Sequence, residues 1–526
     1  MPISDTQYET TDSWTSTQQA PTSRLDTGPP ARTKIIATLG PATQDPEIIE
    51  KMIEAGASVF RLNFSHGSLG EHEAVVHAVR RAAARFDWPI AILGDLPGQK
   101  IRVANVPEHG IEIVKGATVR FVRERITAVP ARNGEPAMFS STYPRLIDDV
   151  QPGERVLIDD GNVRLLVVDC EPDSIECTVT QSGLVTTGKG INLPDSTLTA
   201  ESPAENDWPF VEWAIRNDID VLAMSFVRDA GDVRRLREGI EQRKQKLKRP
   251  EFRLPIIAKI ELPAAVTNID AIVDAADAIM IARGDLGVEM DLTRVPVIQK
   301  QLMTVAQQYG KPSIVATQMF QSMIHAPVPT RAEVSDVAGA IFEDADAVML
   351  SGETAIGNYP VLVVDYMRRV NEHTEAYRAA QPPRPTPPAK LVQSQYRTAA
   401  LAHGVWTTAQ DFGARLIVVW SEHGGGARYL SKHNFNIPIV AISSDERITR
   451  QMQLLRGVVP VRMDPPGGAA AFTQAVNQYL QEGGWVKAGD RCVLVAGHPI
   501  GQSGVTNSLA LHTIGKTSSG AFFEPD

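Results

Sequence analysis

PIIAKIELPAAVTNIDAIVDAADAIMIARGDLGVE, residues 255–289, contains the unit from which most of the chain is built. Two apolar runs, PIIAKIE (255–261) and AIMIARG (278–284), are each followed by a helical pattern, and each ends in charged residues. Short apolar runs without polar alternation suit strands buried on both faces. The same form recurs at IIATL (35–39), SVFRLNF (58–64), IAILGDL (90–96), DVLAMSF (220–226), SIVATQ (313–318) and AVMLSGE (347–353). Intervening helices are legible in PEIIEKMIEAG, where Ile48, Ile49, Met52 and Ile53 share a stripe, and in VPVIQKQLMTVAQQYG with its Gly stop. Eight strand and helix units predict an α/β fold, a (β/α)8 TIM barrel, with a doubly wound open sheet as the competing arrangement.

Neighbouring runs start 23 to 35 residues apart, except the third and fourth, which are 130 apart. The inserted stretch, 103–199, carries GIEIVKGATVRFV, GERVLIDDGNVRLLVVD and SIECTVTQSG, which read as strands with turn signals and predict a small β-rich lid. The barrel then comprises 31–102 and 200–378. Residues 1–30 lack a periodic apolar pattern and are expected to be a disordered tail. The Pro-rich stretch AAQPPRPTPPAK (379–390) reads as a linker. Beyond it, RLIVVW, IPIVAIS and RCVLVAG alternate with helical stretches, so 391–526 is expected to be a separate α/β domain.

Composition narrows the functional classes. The 526 residues are 43% apolar and 22% charged, as in an ordinary globular protein, and the net charge of -10 argues against general binding to nucleic acid or an anionic membrane. Cys170, Cys177 and Cys492 have no metal-ligand spacing and are too few for a disulfide framework, which suits the cytoplasm. No apolar run is long enough for a membrane span, and the start lacks an export signal.

Barrel enzymes place reacting groups at the C-terminal ends of their strands. Here those ends carry Arg61, Asn63 and Ser65; Asp95; Lys259 and Glu261; Arg283 and Asp285; Thr317 and Gln318; Ser351 and Glu353. Spacing of two puts the members of each set on one side if the strand stays extended. A single such pair reads equally well as a structural ion pair, but a ring of them suggests a bound anion with a divalent metal. Glu261 and Asp285 suit Mg²⁺, with Arg61 and Lys259 facing a phosphoryl group. GLVTTGKG (183–190) nearly matches a P-loop but ends in Gly190 and precedes INLPD rather than a helix. GGGARYLSKH (424–433) follows a strand and is either an anion-binding helix start or a plain turn.

TKIIATLGPAT, FRLNFSHG, GDLPGQKIR, IDDG, GKGINLP, AKIE, ARGDLGVE, ATQMFQSMI, PTRAEVSDVAGAI, MLSGETAIGNYP and GHPIGQSGVTN, in this order from about residue 32 to 515, resemble the pyruvate kinase family. The resemblance implies transfer of the phosphoryl group of phosphoenolpyruvate to ADP in glycolysis, by a cytoplasmic, allosteric homotetramer. It implies Mg²⁺ or Mn²⁺ on Glu261 and Asp285, and Arg61 and Lys259 at the phosphoryl group. The substrate carboxylate would meet Gly284, Asp285 and Thr317; Thr317, Ser351 and Glu353 would lie on the side where the enolate is protonated. ADP would sit near Thr38, Pro41, Asn63, His66, Arg102, Asp160 and Lys189.

Two departures carry expectations of their own. Potassium-dependent members have Thr after the Asp and Glu five positions on; here these are Leu96 and Lys100, beside Asn63, Ser65 and Asp95 of the monovalent-cation pocket. The Lys100 ammonium is predicted to replace K⁺. The C-terminal loop SEHGGGAR lacks the Ser/Thr-rich pattern of members activated by fructose 1,6-bisphosphate, leaving Ser421, Gly424, Gly425 and Gly426 as a candidate effector loop for another phosphorylated ligand. A metal-dependent lyase or aldolase acting on a 2-oxo acid, and a catalytically silent relative, are the competing readings.

Overall fold

The computed structural model describes residues 30–199, 201–381, 388–497 and 506–515. The expected tail, the centre of the Pro-rich linker and most of GHPIGQSGVTN lie outside the described residues. Eight parallel strands close into a barrel: Lys34–Thr38, Val59–Asn63, Ala91–Asp95, Val221–Met224, Ile256–Ile260, Ala278–Ala282, Ser313–Ala316 and Ala347–Leu350. The last pairs with the first, Lys34 opposite Ala347, which excludes the open sheet.

Both faces of the strands are buried, which explains their unbroken apolar runs. Ile36, Val59, Leu93, Ala223, Ile257 and Met280 belong to a core inside the barrel, whereas Phe60, Ile92, Leu222, Ile256, Ile279 and Val348 pack with the surrounding helices. The helix Pro46–Ala55 shows how sequence sets an element's limits. Asp45 accepts the Glu47 N–H at 2.9 Å, Pro46 occupies the first turn, and Gly56 at φ 126° ends the helix. Of the predicted stripe, Ile49, Met52 and Ile53 are buried, each side chain contributing about 1.5–3 kcal/mol, and Ile48 packs half-buried beside them.

Between the third and fourth barrel strands the chain forms a β-rich unit with its own core, including Phe121, Phe139, Val156 and Ile175. Its six-stranded sheet runs Ile191–Asn192, Arg155–Ile158, Val163–Glu171, Ser174–Gln181, Thr118–Val122, Ala137–Ser140. Ile111–Ile113 instead pairs with Gly183–Val185, because the chain turns at Gly116 with φ 87° and splits GIEIVKGATVRFV between two sheets.

The C-terminal unit is a five-stranded sheet ordered Val458–Arg462, Ile439–Ser443, Leu416–Trp420, Arg491–Ala496, Ser508–Thr513. The sequence reading identified three of these strands. Val458–Arg462 contains Pro460, which weakens a strand signal and is tolerated at a sheet edge; Ser508–Thr513 is the opposite, antiparallel edge. This unit docks on the N-terminal ends of the barrel strands, where Lys34 Nζ donates to Val458 O at 2.7 Å and Leu454 joins the barrel's inner core. The opposite, C-terminal mouth is left for chemistry.

Candidate functional site

Asp95 ends the third barrel strand, 1% exposed, between two cations. Arg61 Nε donates to Asp95 Oδ2 at 2.7 Å, and Lys259 Nζ stands 3.2 Å from Oδ1. Lys259 also lies 3.0 Å from Glu261 Oε1 and donates to Ser225 Oγ at 2.8 Å. The second Glu261 oxygen accepts the Phe226 N–H at 2.7 Å. Burial alone would raise the Asp95 pKa, but Lys259 and Arg61 outweigh it and hold the carboxyl below its ordinary range. Burial likewise opposes the charged form of Lys259, and Asp95 with Glu261 reverses this, raising the ammonium's pKa. For Glu261, burial raises the pKa against Lys259, and Asp285 reinforces the rise.

The spacing of two keeps its predicted sense for Lys259 and Glu261 and for Arg61 and Asn63, which share one strand, but not for Ser65 or the remaining pairs. The second strand stops at Asn63, whose Oδ1 accepts the Ser65 N–H at 3.2 Å, so Ser65 lies in a turn. The sixth stops at Ala282, and Arg283–Glu289 is a helix, in which residues two apart do not face each other. Arg283 accordingly pairs with Asp336 at 2.7 Å and donates to Thr317 O at 2.9 Å, while Asp285 meets Lys100 at 3.5 Å. Ser351 and Glu353 also lie beyond their strand, at the start of the helix Gly352–Ala355.

Thr317 adopts φ 70° and Gln318 φ 54°, a strained conformation for a β-branched residue and one often found at functional sites. The Thr317 hydroxyl accepts the Gly284 N–H at 2.8 Å and donates to Ala316 O at 2.6 Å. Both Glu353 oxygens are occupied by backbone amides, those of Phe320 and Ser351, at 3.1 and 2.7 Å. The buried Ser351 Oγ has no hydrogen-bond partner.

The residues expected around ADP divide between two bodies. Thr38, whose hydroxyl donates to Leu350 O and accepts from Arg61, stands on the barrel with Pro41, Asn63 and His66. Arg102, Asp160 and Lys189 belong to the inserted unit, with Arg102 on Gly188 O at 2.9 Å and Lys189 on Asp159 at 2.7 Å. Lys189 sits in a turn leading into Ile191–Asn192, so no helix follows the P-loop-like stretch. Of the monovalent-cation set, Asp95 is held by Arg61 and Lys259, and Lys100 pairs with Asp285 instead. Leu96 is buried and its carbonyl accepts the Ser225 hydroxyl at 2.7 Å.

Among the described residues, no three His, Cys, Asp or Glu side chains gather to enclose a metal. Glu261 and Asp285 offer two carboxylates, and Asp285 stands close enough to reinforce the rise in the Glu261 pKa. That donor set fits Mg²⁺ or Mn²⁺, which fill remaining positions with water and substrate oxygens.

Residues 30–364 match the family model for the pyruvate kinase barrel domain, and 399–512 that for the pyruvate kinase alpha/beta domain. The chain belongs to the pyruvate kinase family. It is 37% identical over 485 residues to the pyruvate kinase of Mycobacterium tuberculosis (strain H37Rv), covering 92% of this chain and 99% of that one. Identity to the pyruvate kinase of Staphylococcus aureus (strain MRSA252) is 38% over 489 residues, covering 92% and 80%. A crystal structure of a pyruvate kinase from Cryptosporidium parvum superposes with TM-score 0.83 at 30% identity, covering 93% and 97%.

The site also includes residues that the sequence reading passed over. Ser225, just after the fourth strand, orients Lys259, and Phe226, at φ 54°, presents its amide to Glu261. Glu289 and Asp207 brace the two connections of the inserted unit through Asn192 and Gly98. Asp207 and Glu289 carry no strand-end signature, because each is recognisable only from what folds against it.

In the C-terminal domain, Ser421 Oγ accepts the Ala427 N–H at 3.1 Å, and Gly424 precedes the short helix Gly425–Ser431. The candidate loop therefore opens a helix, and its one hydroxyl is already engaged there. Concavities of about 460 and 380 Å³ lie between the barrel and this domain, away from the Asp95 cluster. No helix among the described residues is long and apolar enough to cross a membrane.

Proposed function

We propose that this enzyme transfers the phosphoryl group of phosphoenolpyruvate to ADP, yielding pyruvate and ATP in glycolysis, with Mg²⁺ or Mn²⁺ held by Glu261 and Asp285. The observation that carries the residue-level reading is Lys259, buried and kept charged between Asp95 and Glu261 at the barrel mouth. Arg61, fixed by Asp95 and Thr38, presents positive charge beside it. Together they stabilise negative charge on the transferring phosphoryl oxygens, and Lys259 also offsets charge on the enolate oxygen. The divalent ion, when bound, supplies further positive charge against the same oxygens.

Gly284 and Asp285 amides, with the Thr317 hydroxyl, bind the substrate carboxylate. Substrate must then displace the Gly284 to Thr317 hydrogen bond, which makes Thr317 responsive to loading. Glu353 fixes the Phe320 and Ser351 amides and so shapes the side where the enolate carbon is protonated, while Ser351 Oγ has capacity to hold a water there. Arg102, Asp160 and Lys189 meet ADP as the inserted unit closes and excludes water.

We extend the proposal to a cytoplasmic homotetramer that does not require K⁺, with an effector other than fructose 1,6-bisphosphate at Ser421 and Gly424–Gly426. A coupled pyruvate-formation assay with metal ions varied tests the reaction: pyruvate and ATP should form in equal amounts and only with a divalent ion. Pyruvate without ATP would refute phosphoryl transfer. Phosphoenolpyruvate saturation curves with and without phosphorylated sugars and nucleoside monophosphates test the effector loop.

A further inference from the structure

The helix Arg283–Glu289 meets the inserted unit and its hinge along its length. Asp285, in its first turn, pairs with Lys100 at 3.5 Å. A side chain at Gly161 would reach within 3.9 Å of Val288 Cγ1, so the IDDG turn passes over the helix. At its last residue, Glu289 Oε1 accepts a hydrogen bond from Asn192 Nδ2 at 2.6 Å. Glu289 and Asn192 are each 6% exposed. Asp285 and Glu289 are four residues apart, hence neighbours on one helix face.

Three features distinguish the Asn192 to Glu289 contact from ordinary packing. Asn192 lies in the two-residue strand Ile191–Asn192 at the edge of the six-stranded sheet, where the chain leaves the inserted unit for the barrel. Its Oδ1 is buried without a partner, so the bond to Glu289 alone orients the amide. A buried carboxylate here is expensive in free energy: burial, with repulsion from Asp285 and Glu261 and only partial relief from Asn192 and Arg155, pushes its pKa up to about 7. A Leu or Met would fill the same volume without that penalty, but would not orient Asn192.

We propose that Glu289 is a positioning residue for nucleotide use: by holding Asn192 it sets the inserted unit's registration against the helix that carries Asp285. The inference rests on the phosphoryl-transfer reading, because only then does the unit's placement govern ADP. Glu289 itself touches neither substrate nor the reacting atoms. Its effect should therefore fall on ADP, whose expected contacts Arg102, Asp160 and Lys189 ride on the unit, and spare phosphoenolpyruvate.

The test uses the full chain with Glu289→Ala, Asn192→Ala, the double variant and Glu289→Gln. Each Ala variant should raise KM for ADP by roughly 10- to 100-fold, the scale of one buried hydrogen bond to a charged group, with KM for phosphoenolpyruvate little changed. The double variant should be no worse than either single one, as expected for partners in one bond. Glu289→Gln keeps the acceptor and should recover most of the ADP affinity. Amide hydrogen exchange across 101–192 should quicken in the Ala variants and not in Glu289→Gln. This exchange readout is independent of turnover, so loss of the phosphoryl-transfer reading would be seen separately, as absence of ATP formation by the unaltered chain. Additive effects, equal losses for both substrates, or unchanged exchange would overturn the proposal.

Discussion

Lys100 Nζ lies 3.5 Å from Asp285 Oδ1, so the hinge of the inserted unit reaches the carboxylate proposed as a metal ligand. An ammonium there supplies positive charge beside the phosphoryl pocket on a covalently attached side chain. Activity in potassium-free, sodium-free buffer should respond only marginally to added K⁺. Lys100→Gln should lower potassium-free turnover by roughly 10²-fold, the scale of one lost electrostatic contact at a transition state. Strong K⁺ activation of the unaltered enzyme would refute the substitution of Lys100 for the cation.

Lys259→Met removes the cation shared by Asp95 and Glu261. Turnover should fall by about 10²–10³-fold or more, since the group facing the developing charge is gone. Two buried carboxylates are also left with less compensation, and breaking a buried pair destabilises by about 3–5 kcal/mol. Saturating Mg²⁺ should recover much of the melting temperature but not the turnover. Turnover near that of the unaltered enzyme would remove Lys259 from the mechanism.

The strands were legible because burial on both faces leaves an apolar signature that needs no knowledge of partners. Lys259 and Glu261 were legible for a related reason: the chain stays extended up to Ile260, so their two-residue spacing keeps its meaning. Arg283 was misread because a helix begins at that residue, which no local residue announces; its guanidinium turns to Asp336, 53 positions later. Glu289 closes the ARGDLGVE motif but drew no assignment, because its partner is Asn192, 97 positions earlier and in another unit. Pro460 hid an edge strand for the opposite reason, being a strand breaker in sequence and harmless at an edge.

Stability should depend on pH through two groups of opposite sign. Burial raises the Asp207 pKa to about 6, against the donated Gly98 and Ala204 amides. Its contribution is full below the unfolded carboxyl pKa near 4 and is lost as pH rises through about 6. Burial, assisted by His403, lowers the His433 pKa to about 4. Its contribution is full above the unfolded imidazole pKa near 6.5 and is lost as pH falls towards 4. The melting temperature of Asp207→Asn relative to the unaltered chain should therefore rise between pH 4 and 6, and that of His433→Gln should rise as pH is lowered over 6.5 to 4. A pH-independent difference for either variant would contradict its assignment.

The C-terminal domain inserts two cations among buried carboxylates at the barrel's base. Lys432 pairs with Asp346, both 2% exposed at the side chain, and Arg450 Nε donates to Asp220 Oδ1 at 2.7 Å. Asp346 precedes the eighth strand and also accepts the Ser313 N–H at 2.8 Å; Asp220 precedes the fourth and accepts the Ile92 N–H at 2.7 Å. Each carboxylate thus joins two barrel strands to the docked domain. Asp346→Ala strands the Lys432 ammonium in a site where burial already lowers its pKa, and should destabilise by about 3–5 kcal/mol. Adding Lys432→Met should restore part of that loss, because an apolar side chain of similar length needs no counter-charge. Denaturant unfolding of the two single variants and the double variant measures the coupling. If the double variant is no more stable than Asp346→Ala, the pair contributes packing rather than charge compensation, and the domain is held by its apolar contacts around Leu454.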